Sequence, residues 1–258
     1  MNDIQFIIKD KYNHHLNNSN LKSLINDLNL LSRGYPRDYI IGYVNFLNCK
    51  IDLSQKPLIP RVETEYWLEK TIPIIKENFK GYETIKVLDI FSGSGCIGLA
   101  IAKNIKNSLV TFSDIENSNI KQIKINLKIN QVKNYKKIIK SDIFSKISSK
   151  YDLIIANPPY VPHSDAIKAP FEPLKAIKAG KYGLDIIKPF LSQVSSFLSK
   201  NGLFVMEFHP DQVKAIKTIL IEHGFENFQF YRDQYGRYRY VIGINQRKVP
   251  HTNFTLEL

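Results

Sequence analysis

From Ile85 onward, short apolar runs alternate with amphipathic stretches. The runs "IKVLDIF", "LVTFSD", "KKIIKSD" and "YDLIIA" read as strands, because nearly continuous apolar character is what a sheet covered on both faces demands. Between them, "GCIGLAIAKNI" and "NSNIKQIKINLKINQ" space their apolar residues for helices. A helix at about 183–199, the strand "GLFVMEF" and the helix "DQVKAIKTILIEHG" continue the alternation. Two closing strands, "FENFQFYRD" and "YRYVIGIN", are separated only by "QYGR". So short a connection joins antiparallel neighbours, whereas parallel strands need a crossover. The pattern predicts an α/β fold with a seven-stranded, Rossmann-like sheet whose last strand is antiparallel.

Ahead of this region, residues 3–12 and 21–32 carry helical spacing, as in Leu21, Leu24, Ile25, Leu28 and Leu31. The Gly and Pro of "RGYP" stop that leader. "DYIIGYVNFLNCKIDLS" reads as two strands around a turn near Leu47 and Asn48. "PLIPRVETEYWLEKTIPIIKENF" reads as a helix with acids in its first turn, which the helix dipole favours, and Pro73 is expected to kink or split it. The expected organisation is a short N-terminal helical segment over 1–36, a β-hairpin linker over 37–60 and a main domain over 61–258.

Composition narrows the class. The 258 residues carry a net charge of +12, which suggests an anionic neighbour, although Ile, Asn and Lys are all abundant and compositional bias alone supplies many lysines. The two cysteines, Cys49 and Cys96, have no CxxC or zinc spacing, so a reducing compartment and no structural metal are expected. His14, His15, His163, His209, His223 and His251 are scattered and read as surface or cap residues. No apolar run approaches the roughly 20 residues of a membrane span. "MNDIQFIIKDKYNHH" reads as neither a signal peptide nor a transit peptide, so a bacterial cytoplasm is expected, with a mitochondrion the weaker alternative.

"LDIFSGSGCIG" contains Gly93-x-Gly95-x-x-Gly98 after one strand and before one helix, the setting of a nucleotide-binding turn. Asp114 ends the next strand about 20 residues on, where a carboxylate accepts ribose hydroxyls. Asp89 ends the strand before the turn, where a carboxylate would repel a pyrophosphate and suit a sulfonium. The turn is therefore expected to hold S-adenosylmethionine rather than NAD. Asp142 in "KSDIF" is placed to accept from an adenine amino group with Ile143 against the ring, unless it is a plain cap.

"YDLIIA" runs into Asn157-Pro158-Pro159-Tyr160. In a doubly wound sheet this strand neighbours the first, so Asn157 should emerge beside the glycine turn. Two prolines remove two backbone donors and stiffen the chain. The Asn157 side-chain oxygen and the Pro158 carbonyl can then hold both hydrogens of a planar NH₂ group, and Tyr160 offers a stacking face. Such a grip orients a weakly nucleophilic nitrogen and stabilises the charge that develops during methyl transfer. A proline-rich turn is the plain alternative.

The motifs in order are "YIIGYVNFLNCKIDL", "LIPRVETE", "VLDIFSGSGCIGLA", Asp114, "SDIF", "NPPYVP", "FEPLKAIKAGKYGLD", "MEFHPDQ" and "DQYGRYRYVIG". Over about residues 33–245 they resemble the release-factor glutamine methyltransferases, the PrmC/HemK family. The resemblance implies a class I S-adenosylmethionine-dependent methyltransferase with no metal. It implies that Phe91, Ser92, Gly93, Ser94, Gly95, Asp114, Ile143 and Asn157 contact the cofactor. Asn157, Pro158, Pro159 and Tyr160 would hold the substrate glutamine, with Asn157, Pro158 and Tyr160 at the chemistry. The implied product is N5-methylglutamine in the Gly-Gly-Gln loop of a class 1 peptide-chain release factor, the protein partner. Arg61, Glu63 and Glu65 match "PRxETE", a signature that reads equally as a charge network at a helix start. Three departures stand out: Phe91 and His209 occupy places where the family usually has glycine, and the leader is about half the usual N-terminal domain.

Three other readings compete. An adenine-N6 or guanine-N2 methyltransferase on DNA or RNA uses the same amine grip and suits the charge, but no inserted recognition domain is visible. An NAD-dependent oxidoreductase is disfavoured by Asp89 and the Asn-Pro-Pro-Tyr run. A non-catalytic ribosome- or RNA-binding protein on the same fold is disfavoured by the intact Asp89, Asp114 and Asn157.

Overall fold

The computed structural model describes residues 2–162 and 171–246, so His163 and His251 lie outside the described residues. The leader folds as α1 (Asp3–Asp10) and α2 (Asn18–Ser32). Each opens on a capping box, in which Asn2 and Asn17 accept from the backbone three residues on while Gln5 and Asn20 reach back. Ile7, Leu24 and Ile40 close a small apolar core beneath these helices.

Residues 37–41, expected in the first strand, form a short helix, α3 (Arg37–Ile41). Gly42 ends it at φ 92°, in the left-handed region. Tyr39 is buried in the main core and Ile40 in the leader's core, so apolar neighbours face opposite ways. Burial on both sides makes a short run read alike as helix or strand. The hairpin follows as β1 (Tyr43–Phe46) and β2 (Cys49–Asp52). Leu47 and Asn48 take φ 41° and 64°, the two positive values that a tight two-residue hairpin turn requires. Helix α4 (Val62–Asn78) passes through Pro73 without a break. Pro73 and Glu69, whose carbonyl loses its partner there, are both exposed, so solvent can satisfy that carbonyl.

Seven strands make the main sheet: β3 (Ile85–Ile90), β4 (Ser108–Asp114), β5 (Tyr135–Lys140), β6 (Tyr151–Ala156), β7 (Leu198–Glu207), β8 (Asn227–Arg232) and β9 (Tyr238–Ile244). Their order is β5-β4-β3-β6-β7-β9-β8, and β9 alone runs antiparallel to its neighbours. Helices α5 (Cys96–Asn104), α6 (Asn117–Ile129), α7 (Ile187–Phe197) and α8 (Val213–Glu222) provide the crossovers. Alternation along β3 splits the core in two: Ile85 and Val87 belong to one cluster, Leu88 and Ile90 to the other. The chain reverses its direction of travel across the sheet at β3 and β6, which lie side by side, so their carboxyl ends form the switch point.

The hairpin is fastened to α6 by side-chain amides. Asn126 Oδ1 accepts from the Asp52 amide (2.8 Å), and Asn130 both accepts from Lys50 N (2.9 Å) and donates to Lys50 O (2.8 Å). Gln122 Oε1 accepts from Gln55 N (2.8 Å). Four helical residues rise about 6 Å and two strand residues about 6.6 Å, so amides at i and i+4 match alternate residues of an extended edge.

Candidate active site

The carboxyl ends of β3, β4, β5 and β6 open on one cavity of about 750 Å³, closed on its far side by the start of α4 and by residues 172–178. The glycine turn forms its floor. Gly93 and Gly95 take φ 54° and 80°. A side chain at Gly98 would lie 2.4 Å from the Phe112 ring, so glycine there lets α5 sit directly on β4. Ser92 stitches the turn to the sheet, its hydroxyl donating to the Asp89 carbonyl (2.7 Å) and accepting from Ser113 N (3.0 Å).

Three lining residues that are not glycine hold left-handed backbone, Phe91 at φ 59°, Ile143 at 45° and Lys56 at 54°. The first explains why glycine is at home at position 91. Phe91 compensates by packing its ring edge-on against Phe190, 5.9 Å between centroids. For a β-branched residue such as Ile143 the conformation is an outlier, and strain of this kind concentrates at binding sites.

Asp114 reaches the cavity from the end of β4. Its Oδ1 accepts from Glu116 N (2.8 Å) and Asn119 Nδ2 (3.1 Å), and its Oδ2 from Gly93 N (2.8 Å). Burial raises its carboxyl above the ordinary range. One lone pair on Oδ2 remains for a ligand hydroxyl. The Gly95 amide donates to Ser92 O (2.7 Å), so the amides of Gly93 and Gly95 are both engaged. A pyrophosphate needs those amides and a cationic setting. The turn instead places the Asp114 carboxylate beside these amides, where it can accept a ribose hydroxyl. Ser94, Asp142 and Ile143 complete this side of the cavity, with Asp142 exposed at the rim.

Asp89 departs from expectation. It is buried behind the turn, does not line the cavity, and its Oδ2 accepts from Gly98 N (3.0 Å) at the start of α5. Burial pushes its carboxyl up to about 8, and Oδ1 has no partner. Asp89 thus supports the turn from beneath, its carboxyl shifted toward the neutral form, and does not face a sulfonium. Gly95, Pro158 and Tyr160 also lie outside the lining, whereas Asn157 and Pro159 are in it. The stacking face expected of Tyr160 is turned away, because its hydroxyl donates to Glu207 Oε1 (2.9 Å) and its ring packs with the core.

Glu207 is the residue that sequence reasoning missed. It is buried at the end of β7, and its Oε2 accepts from Thr64 Oγ1 (2.6 Å) and Trp67 Nε1 (2.6 Å) on α4. Burial raises its carboxyl against the effect of these donors. An acid inside the apolar run "GLFVMEF" was the available signal, since such a group needs several donors. Thr64 in turn accepts from Asn157 Nδ2 (3.2 Å). His209 sits at φ −77°, where no glycine is needed, and its amide donates to Gln212 Oε1 (2.9 Å). Gln212 Nε2 then donates to the carbonyls of Tyr160 (2.9 Å) and Gly183 (3.0 Å), holding the loop after β6 in place.

The "PRxETE" residues each have a structural partner. Arg61 pairs with the buried Glu172 across the cavity mouth, Glu63 lies 3.5 Å from Arg237, and Glu65 accepts from the Leu47 amide (2.8 Å) in the hairpin turn. Among the described residues no cluster of His, Cys, Asp and Glu could hold a metal ion, and no helix is long and apolar enough to cross a membrane.

Comparison with known proteins adds family and fold. The Methyltransferase small domain family matches residues 70–235. A release factor glutamine methyltransferase of Borreliella burgdorferi is 34% identical over 230 residues, covering 88% of this chain and 78% of that protein. One of Thermodesulfovibrio yellowstonii is 32% identical over 213 residues, covering 80% and 75%. Among solved structures, the hMettl16 catalytic domain in complex with a 3'UTR hairpin superposes with TM-score 0.59 over 78% of this chain and 77% of that one, at 16% identity.

Proposed function

The chain belongs to the release factor glutamine methyltransferase family, and from that membership we propose that it methylates N5 of the glutamine in the Gly-Gly-Gln motif of a class 1 peptide-chain release factor. The methyltransferase chemistry follows from the family; the acceptor and the residue roles are our reading. S-adenosylmethionine, when bound, supplies a methyl group activated by a sulfonium. Asp114 would take the ribose, Asp142 and Ile143 the adenine, and the turn from Phe91 to Gly95 the amino-acid end.

The observation that carries this reading is the placement of Asn157. Its Nδ2 faces Thr64, so Oδ1 is the atom left for the cavity. An oxygen there accepts one hydrogen of a substrate amide. The nitrogen's lone pair is then aimed at the methyl carbon. Asn157 Oδ1 would stabilise the positive charge that grows on the acceptor nitrogen as it takes up the methyl group. The methylated nitrogen then loses its proton to water, so no strong base is required. Tyr160 and Pro158 act by fixing this geometry from behind. A bacterial cytoplasm is the compartment this reading implies.

Transfer of labelled methyl from S-adenosylmethionine to purified release factor, to its Gln-to-Ala loop variant, and to bulk RNA and DNA tests the proposal. Label should enter the release factor and disappear with the variant. The +12 charge favours a nucleic-acid amine as the second reading, and label on RNA or DNA alone would establish it.

A further inference from the structure

An asparagine amide has two faces of opposite polarity. Rotated by half a turn, Asn157 would present NH₂ to the substrate's NH₂ and repel it. We propose that Thr64 and Glu207 are positioning residues that set the polarity of the Asn157 amide, so that its oxygen always faces the acceptor nitrogen. The proposal rests on the reading of Asn157 as a hydrogen-bond acceptor given above.

The order of the donors enforces the polarity. The indole of Trp67 can only donate, and it lies 2.6 Å from Glu207 Oε2. That oxygen is therefore an acceptor whatever the state of the carboxyl group, whose proton, when present, belongs on Oε1. Thr64 shares Oε2 at 2.6 Å and commits its one hydroxyl proton there. What Thr64 then offers outward is a lone pair. Only the Nδ2 side of Asn157 can meet a lone pair at 3.2 Å, so Oδ1 turns to the cavity. Trp67, Thr64 and Glu207 are all buried, at 0%, 2% and 1% exposure, so bulk water cannot substitute for the links to Glu207. Glu207 also receives the Tyr160 hydroxyl at 2.9 Å. The Asn-Pro-Pro-Tyr segment is thus held to one carboxyl group at both ends, through Thr64 at its first residue and directly at its last. Helix α4 and strand β7, about 140 residues apart in sequence, meet at that point.

The test uses the full chain and four proteins: wild type, Thr64→Val, Thr64→Ser and Glu207→Gln. Methyl transfer is followed on release factor and on bulk RNA, cofactor affinity by calorimetry, and stability by urea midpoint. Thr64→Val keeps the shape and removes the hydroxyl, so kcat should fall about 10- to 100-fold while KM and cofactor Kd each stay within about twofold. Thr64→Ser restores the hydroxyl and should recover to within about threefold of wild type. Glu207→Gln keeps an oxygen against Trp67, so it should lose less than Thr64→Val. Thr64→Val within about twofold of wild type would overturn the proposal. So would a Thr64→Ser or Glu207→Gln loss as deep as that of Thr64→Val, because the hydroxyl's polarity would not be the cause. Wild type labelling RNA instead of release factor would remove the proposed acceptor but not the relay, which the same variants would then support or overturn on RNA.

Discussion

Asn157 and Asp114 stand at the tips of β6 and β4, on either side of β3, and are assigned different ligands. Their losses should separate. Asn157→Ala should abolish turnover while leaving cofactor affinity closer to wild type than Asp114→Ala does. Calorimetric titration with S-adenosylmethionine decides this, and equal loss of binding in both would remove the acceptor role from Asn157. Asp89 yields a prediction of a different kind. Its carboxyl is held neutral to about 8 in the fold, against an ordinary 3.8. The folded chain therefore keeps a proton that the unfolded chain releases, and stability falls as pH rises between about 4 and 8, by at most about 1.4 kcal/mol per pH unit from this group. Asp114 and Glu207, raised in the same direction, add to the slope. Urea midpoints for Asp89→Asn should decline less steeply over that window than those of wild type. An unchanged slope would mean that Asp89 is ionised in the fold.

Elements meet closely where α5 crosses β4. A methyl group at position 98 would strike the Phe112 ring at 2.4 Å and Asp89 Oδ2 at 2.8 Å. Gly98→Ala should lower stability by about 1–3 kcal/mol, read from a denaturant midpoint, despite the better helix propensity of alanine. At this scale the sequence was highly legible. Runs such as "YDLIIA" and "LVTFSD" are buried on both faces, and their period is unambiguous, so seven strands and the antiparallel last one were all anticipated. The exceptions have separate causes. "DYII" serves two cores at once and so lost its helical signature, and Pro73 lies on an exposed face where its missing donor does no harm. At the site, positions were legible but directions were not. The end of β3 is legible in sequence, yet whether Asp89 points to the ligand or to Gly98 depends on α5, which sequence order cannot aim. Glu207 was passed over because its three donors come from Thr64, Trp67 and Tyr160, all distant along the chain.

The whole molecule carries +12 charges, yet the cations at the cavity mouth are partly spoken for, with Arg61 on Glu172 and Lys175 on Glu116. The excess acts as a field more than as a set of contacts. Raising ionic strength should reduce kcat/KM for release factor, by roughly tenfold as the Debye length contracts from about 10 to 3 Å, while cofactor Kd stays nearly constant. A salt-independent rate would detach the charge from substrate capture.

The row of amides along α6 has a consequence for whatever protein approaches. Lys50 and Asp52 have their outward main-chain groups occupied by Asn130 and Asn126, so this border of the small sheet is closed to any incoming extended segment. A visiting loop finds no template there for zipping on and is left with side chains and the cavity mouth. The same closure shields a two-stranded ribbon, too small to be stable by itself, from sticking to its own copies.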